Sequence, residues 1–251
     1  MKLHIFNPEH DIALAANQER FTAPHAGRRL RTDLGFIPAF WASEGDMVLV
    51  DDVEAAIEAR RHLSKFGKDV VFVTYADLKA FAFEDVESFQ VDPWGWDRTI
   101  KEQLLRANSN LQSFMPSDDT LAAIREMSSR RFAAEHLLPL LREAGEEKTV
   151  GEARYCTTME VVKQAMAQNV KSVLKSPWSS SGRGVRYVET AAPDAHLEGW
   201  AANVVKRQGG IMVEPLYNKV YDFGLEFFCN ADGTIDFKGI SLFATRGGAY
   251  L

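Results

Sequence analysis

The apolar positions of this chain fall into two alternating series separated by a stretch of breaks. Three short apolar runs near the start, Leu3-His4-Ile5-Phe6, Met47-Val48-Leu49-Val50 and Val70-Val71-Phe72-Val73, read as strands. Between the second and third, the segment from Glu54 to Phe66 sets Ala55, Ile57 and Leu63 among Arg60, Arg61 and Lys65, with Gly67 placed to stop a helix. Strand, helix and strand in that order predict an α/β unit whose helix crosses between parallel strands.

A junction follows. The run Val91-Asp92-Pro93-Trp94-Gly95-Trp96-Asp97 breaks any regular pattern before a helical one resumes over Arg98–Asn108, and Met115-Pro116-Ser117 breaks it again. Ser117 is placed to cap a helix opening at Thr120 and Leu121, and a second helix runs through Arg131–Leu138. The domain boundary is expected near residues 112–118, giving domains 1–115 and 116–251.

The second series is richer in strands. Arg154–Thr157, Ser172–Lys175, Val185–Val188 and Ile211–Glu214 read as strands, with helices from Met159 to about Gln168, capped by Thr158 or Thr157, and from Asp194 to Arg207, stopped by Gly209-Gly210. Phe223–Cys229 and Thr234–Leu242 flank Asn230-Ala231-Asp232-Gly233, whose Asp-Gly pair favours a hairpin turn, and Gly247–Leu251 reads as one more strand. The expectation is an α/β first domain and an α+β second one.

One segment concentrates chemistry: Lys175-Ser176-Pro177-Trp178-Ser179-Ser180-Ser181-Gly182-Arg183-Gly184. Lys175 brings a positive charge at a strand end, the hydroxyls of Ser179, Ser180 and Ser181 can donate to phosphate oxygens, and Gly182 and Gly184 let the backbone come close. Arg183 either adds a second charge or faces solvent. The loop joins two strands and opens no helix, which excludes P-loop geometry. A Ser/Gly run alone would read as a flexible hairpin tip, but such a tip needs neither a strand-borne lysine nor a tryptophan directly before it.

These residues resemble the ATP-grasp superfamily, in which a strand lysine, a Ser/Gly-rich phosphate loop and a later strand ending in an acidic residue follow one another. Here the order is Lys175, loop 179–184 and Val213-Glu214-Pro215-Leu216. The resemblance implies ATP as the ligand, Glu214 and Leu216 meeting adenine through the backbone, Asp222 reaching the ribose and Arg131 meeting the α-phosphate. An exposed strand-end carboxylate at Glu214 and a solvated pair at Arg130-Arg131 remain the plain alternatives. The resemblance also implies Mg2+, held by an acidic residue and a later Glu-x-Asn. Glu226 and Asp236 do not match that pattern, so the magnesium ligands are expected beyond residue 251 and the ATP-grasp domain is expected to be incomplete. By the same resemblance the first domain is a Rossmann-like pre-ATP-grasp domain.

That first domain carries Asn7-Pro8-Glu9-His10-Asp11 directly after its first strand, where α/β folds place ligands. Thr22, His25, Arg28 and Arg29 follow, and cations there suit a carboxylate. Asn7, Glu9, His10, Asp11 and Arg28 are the candidate substrate residues; the alternative is helix capping by the acidic pair. Neither His10 nor His25 has zinc-ligand spacing, and no Gly-x-Ser-x-Gly is present.

Composition narrows the classes. Twenty-nine Lys and Arg against thirty-five Asp and Glu leave a formal charge of -6, which disfavours nucleic acid as a partner. Cys156 and Cys229 follow no zinc or disulfide spacing and read as buried free thiols of a reducing compartment. Neither a signal peptide nor a membrane-length apolar run is present, so the expected location is cytoplasmic. The expected activity is an ATP-dependent ligase joining a carboxylate to an amine or thiol through an acyl-phosphate. The alternatives are a nucleotide-binding module without catalysis and an interaction scaffold.

Overall fold

The computed structural model describes the chain except residues 63–64, 83–87, 146–147, 149, 181, 190–193, 231, 247–248 and 251, with the backbone alone at 62, 245–246 and 249–250. Contacts divide it into two units, Met1–Ser129 and Arg130–Leu251.

In the first unit, β1 (Lys2–Ile5), β2 (Met47–Leu49), β3 (Val71–Val73) and β4 (Gln90–Pro93) form a parallel sheet in the order β3-β2-β1-β4. Helices α1 (His10–Ala16), α2 (His25–Leu34), α3 (Val53–His62), α4 (Tyr75–Ala80), α5 (Arg98–Ala107) and α6 (Asp118–Met127) pack around it, and α3 makes the expected crossing from β2 to β3. Side chains alternate across the sheet. Leu3, Ile5, Met47 and Leu49 pack with Leu78, Ile100, Leu104 and Leu111, while Val48 and Phe72 pack with Phe36, Ala39 and Ala56.

Two expectations need correction here. The segment read as a junction contributes β4, paired with β1 in register Lys2↔Gln90 to Ile5↔Pro93. Its proline hid it, yet β4 is an edge strand, where a residue without an N–H is tolerated. The unit also ends after α6, not before it. Ser117 does cap α6, accepting from Thr120 N at 3.1 Å. But α6 is tied backward: Lys101 Nζ donates to Asp118 Oδ1 at 2.7 Å, Arg125 Nε to Leu14 O at 2.8 Å, and Leu121 is buried.

His4 is a buried imidazole in the middle of this sheet. Its Nε2 lies 3.1 Å from Asp46 Oδ2, and its Nδ1 lies 2.9 Å from Asp92 Oδ2. Burial works to lower its pKa, but the two carboxylates outweigh burial and raise it above 6.5. Asp46 is itself lowered: burial opposes this, and the Lys2 and Ser43 N–H groups together with His4 prevail.

In the second unit, α7 (Arg130–Phe132), a π-helical segment (Ala133–Leu137) and α8 (Leu138–Glu143) replace the single helix expected there. Pro139, which has no N–H to give, falls in the first turn of α8, directly after the π segment. Then come β5 (Arg154–Cys156), α9 (Met159–Ala167), β6 (Ser172–Lys175), β7 (Val185–Val188), α10 (Ala195–Gln208) and β8 (Ile211–Pro215). Thr158 caps α9 and Asp194 caps α10, which ends at Gly209 with φ 82°. The strands form an antiparallel sheet in the order β5-β8-β6-β7. One face, with Leu174, Val188, Ile211 and Val213, buries against Val162, Met166, Ala201 and Val204 of α9 and α10.

The chain continues as a hairpin of β9 (Asp222–Cys229) and β10 (Ile235–Phe243), followed by the short pair β11 (Thr245–Arg246) and β12 (Ala249–Tyr250). Gly233, at φ 84°, supplies the turn, and the last predicted strand falls partly outside the described residues. Register places Phe223, Leu225, Phe227 and Cys229 on one face with Ile235, Phe237, Ile240 and Leu242, and all of these are exposed. Cys229 therefore departs from the buried thiol expected of it, whereas Cys156 is buried and its pKa is raised by that burial. Among the described residues no helix is long and apolar enough to cross a membrane.

Candidate functional site

The face of the β5-β8-β6-β7 sheet opposite α9 and α10 is the floor of a groove of about 910 Å³. Strand alternation puts Val173, Lys175, Val185 and Tyr187 on that floor while their neighbours fill the core. Lys175, Gly182, Glu214, Leu216 and Asp222, all singled out in the sequence, line this one groove. Tyr217, Tyr221 and Phe223 form an aromatic side to it.

The loop between β6 and β7 is tightly folded. Ser176 N donates to Gly184 O at 2.8 Å, Arg183 N to Ser180 O at 3.2 Å and Val185 N to Gly182 O at 3.1 Å. Gly182 has φ 71°. A Cβ on Gly184 would stand 2.2 Å from Ser179 Oγ, so only glycine fits there. Arg183 faces solvent, and Ser181 lies outside the described residues. Trp178 is buried, its N–H given to Gln208 Oε1 at 3.0 Å, so it anchors the loop from behind.

The arginine the sequence pointed to is not the one at the groove. Arg131 pairs with Glu135 at 2.7 Å and stacks over the Tyr155 ring at 4.9 Å. Its neighbour Arg130 lines the groove and clamps the loop: Nη1 donates to Ser176 O at 2.6 Å and to Ser179 Oγ at 2.9 Å, and Nη2 donates to Ser179 O at 3.0 Å. The two differ by one step of helical phase, which no local pattern at a helix start resolves.

Three further assignments come out with altered detail. Lys175 Nζ donates to Glu214 Oε2 at 2.5 Å, so the residues expected at the phosphate and adenine ends of a nucleotide hold one another. The Leu216 N–H donates to Lys171 O at 3.0 Å, which leaves its carbonyl, not its donor, for a purine edge. Asp222 pairs with Lys219 at 2.6 Å.

In the first unit, the end of β1 meets the end of β4, where the sheet order turns from one side of β1 to the other. Asn7 is buried there, exchanging hydrogen bonds with Gly95: its Nδ2 donates to Gly95 O at 2.8 Å and Gly95 N donates to its Oδ1 at 3.2 Å. His10 Nδ1 lies 3.1 Å from Asp97 Oδ2, and Asp97, buried, accepts from Ile100 N at 2.9 Å as the cap of α5. With Nδ1 turned to the carboxylate, the other edge of the His10 ring lies against Gly95, where an added Cβ would stand 2.5 Å from Nε2; the side chain as a whole is 16% exposed.

Glu9 holds the N-cap position of α1 but makes no cap with its side chain, so capping does not account for it. Its Oε1 accepts from Arg31 Nη1 at 2.8 Å, while its Oε2 and Arg31 Nε are buried without a hydrogen-bond partner among the described residues. Burial raises the Glu9 pKa despite Arg31. A void of about 10 Å³ beside Arg31, Asp51 and Tyr75 has room for one water. Burial also pushes Tyr75 up to about 12. Asp11 is half-buried in the first turn of α1, whereas Thr22, His25 and Arg28 are exposed and Arg29 pairs with Asp33 at 3.3 Å. Thus Asn7 and His10 meet at Asp97, Glu9 turns to Arg31, and Arg28 is exposed. Arg31 and Asp97 were missed; the signal for Asp97 was its place as the cap before Arg98-Thr99-Ile100.

No protein-family model and no curated protein matches the chain. Among solved structures, all of the chain (100%) overlays on 53% of a biotin carboxylase from Campylobacter jejuni, solved as its beta-gamma-ATP complex, with a TM-score of 0.52 at 16% identity. An N5-carboxyaminoimidazole synthetase from Staphylococcus aureus complexed with ADP gives 0.49 at 12% identity, over 99% of this chain and 56% of that one. The chain spans about half the length of these two structures. At such identities the likeness is one of fold alone.

Proposed function

We propose that the second unit binds ATP in the groove above β6 and β8 and that the protein works as an ATP-dependent ligase joining a carboxylate to an amine or thiol. The observation that supports this most is the meeting of Lys175, the glycine loop, Glu214 and Asp222 in one groove of about 910 Å³, on a fold shared with an ATP-complexed enzyme. Lys175 and the Gly182–Gly184 backbone would face the phosphates, Asp222 the ribose and the Glu214 and Leu216 carbonyls the purine edge.

In the reaction proposed, a substrate carboxylate oxygen attacks the γ-phosphorus and the bond to the β-phosphate oxygen breaks, releasing ADP. The nucleophile then attacks the acyl carbon, phosphate leaves, and the nucleophile's proton passes to solvent. The protein's part is positioning and charge stabilisation rather than acid–base chemistry. Asn7, Glu9 and His10 are the residues proposed to meet a substrate. Titration calorimetry of ATP into the chain and into Lys175→Ala tests the site; equal affinity in the two would remove its basis.

The residues described do not fit a Mg2+ site, and no step is assigned to the ion. Among them no group of three or more His, Cys, Asp or Glu could hold a metal. Glu226 accepts from Ser241 Oγ at 2.7 Å and Asp236 from Lys238 Nζ at 3.1 Å, and both carboxylates are exposed. That engagement favours a second reading, a module that binds nucleotide without turning it over. ATP binding with no ADP released across a panel of carboxylates and amines would select it.

A further inference from the structure

Lys175 and Glu214 stand on neighbouring strands, in the registers Lys175↔Met212 and Val173↔Glu214, so both side chains rise from the groove face one diagonal step apart. Their contact is 2.5 Å, and the two side chains are only 30% and 20% exposed. Nearby, the Arg130 guanidinium is spent on Ser176 O, Ser179 Oγ and Ser179 O. Lys175 is therefore already paired with a carboxylate, and Arg130 is held on neutral loop oxygens, before any anion arrives.

We propose that Glu214 sets the affinity of the groove for polyphosphates: it holds the Lys175 ammonium until a polyphosphate takes that ammonium over, so binding proceeds by exchange of ion-pair partners. This rests on reading the groove as a nucleotide site. A single phosphate gains little from the exchange, because it replaces one charge-assisted contact with another. A polyphosphate has further oxygens for the Gly182 N–H, which lines the groove and has no partner among the described contacts, and this tips the balance. The exchange leaves the Glu214 carboxylate partly buried and unpaired, and that cost is subtracted from the affinity. An amide at this position still accepts from Lys175 but carries no charge to strand.

The test is calorimetric titration of inorganic tripolyphosphate into the 251-residue chain, Glu214→Gln, Lys175→Met and the double variant, with thermal melts to show that each is folded. Glu214→Gln is expected to bind tripolyphosphate about tenfold more tightly than the parent, the effect of about one charge-assisted hydrogen bond. Lys175→Met is expected to abolish binding in both backgrounds. A merely structural role for Glu214 would produce a loss, not a gain. If Glu214→Gln binds no better while Lys175→Met still loses binding, the exchange is wrong and the groove reading survives. If Lys175→Met binds as the parent does, or neither parent nor Glu214→Gln binds, the groove reading falls and the exchange with it.

Discussion

Replacing Gly184 by alanine puts a methyl carbon where the loop has no room. The added Cβ would lie 2.2 Å from Ser179 Oγ, 2.4 Å from Ser179 Cβ and 3.0 Å from Ser176 Cβ, against roughly 3.5–4.0 Å for a comfortable carbon contact. Ser179 cannot swing aside freely, because Arg130 holds both its hydroxyl and its carbonyl. Gly184 cannot retreat either while its carbonyl accepts from Ser176 N at 2.8 Å. Relief requires the loop to lift from Arg130, which breaks charge-assisted hydrogen bonds or leaves the overlap as strain. Either route costs about 2 kcal/mol, or roughly 8 °C in melting temperature for a unit of this size. Urea denaturation followed by tryptophan fluorescence reads the loss, and ATP titration reads the displaced loop. Gly199→Ala is the control: on α10 its Cβ meets nothing within 4 Å, so a small gain in stability is expected. If Gly184→Ala melted with the parent and bound ATP equally, the loop packing described above would be refuted.

Other consequences follow from the same contacts. Because the folded pKa of His4 is raised above 6.5, its contribution is complete below about that pH and is lost as pH rises through the folded value. Asp46 and Asp92 lie below 3.8, so theirs is present above that value and is lost as pH falls through the folded ones; because His4 helps hold both carboxylates down, His4→Gln should remove the alkaline-side decline and shrink the acid-side one in a urea-midpoint series. Arg130→Met should free the loop, weakening ATP binding about tenfold and making the bonds after Arg183 and Arg186 cleavable by trypsin under native conditions. Asp97→Ala strips a buried acceptor from Ile100 N, His10 and Asn7 and should cost about 3 kcal/mol by chemical denaturation.

The sequence revealed the second unit well because its signals are local and mutually consistent. Thr158, Asp194 and Gly209 cap helices by side-chain and backbone chemistry that their own neighbourhoods specify. The alternation of Val173 and Lys175 against Ser172 and Leu174 likewise assigns the faces of β6 without further help. What was lost depended on partners far along the chain. β4 looked like a break because Pro93 is tolerated only at an edge, and which strand lies at the edge is a property of the whole sheet. Arg130 and Arg131 are indistinguishable until Ser176 and Ser179 come within reach. The Lys175–Glu214 pair spans 39 positions, and only the β6–β8 register discloses it.

The hairpin of β9 and β10 has a consequence for the protein in bulk solution. Eight apolar or weakly polar side chains from Phe223 to Leu242 share one uncovered face, and the two strands form a sheet with no third strand among the described residues. A flat apolar ladder with unpaired edges is a template onto which another extended chain can add. The formal charge of -6 keeps molecules apart at low ionic strength, and salt removes that protection within a Debye length of about 10 Å at 0.1 M. Dilute, low-salt handling thus follows from the register of one pair of strands, whose first apolar residue, Phe223, also borders the groove.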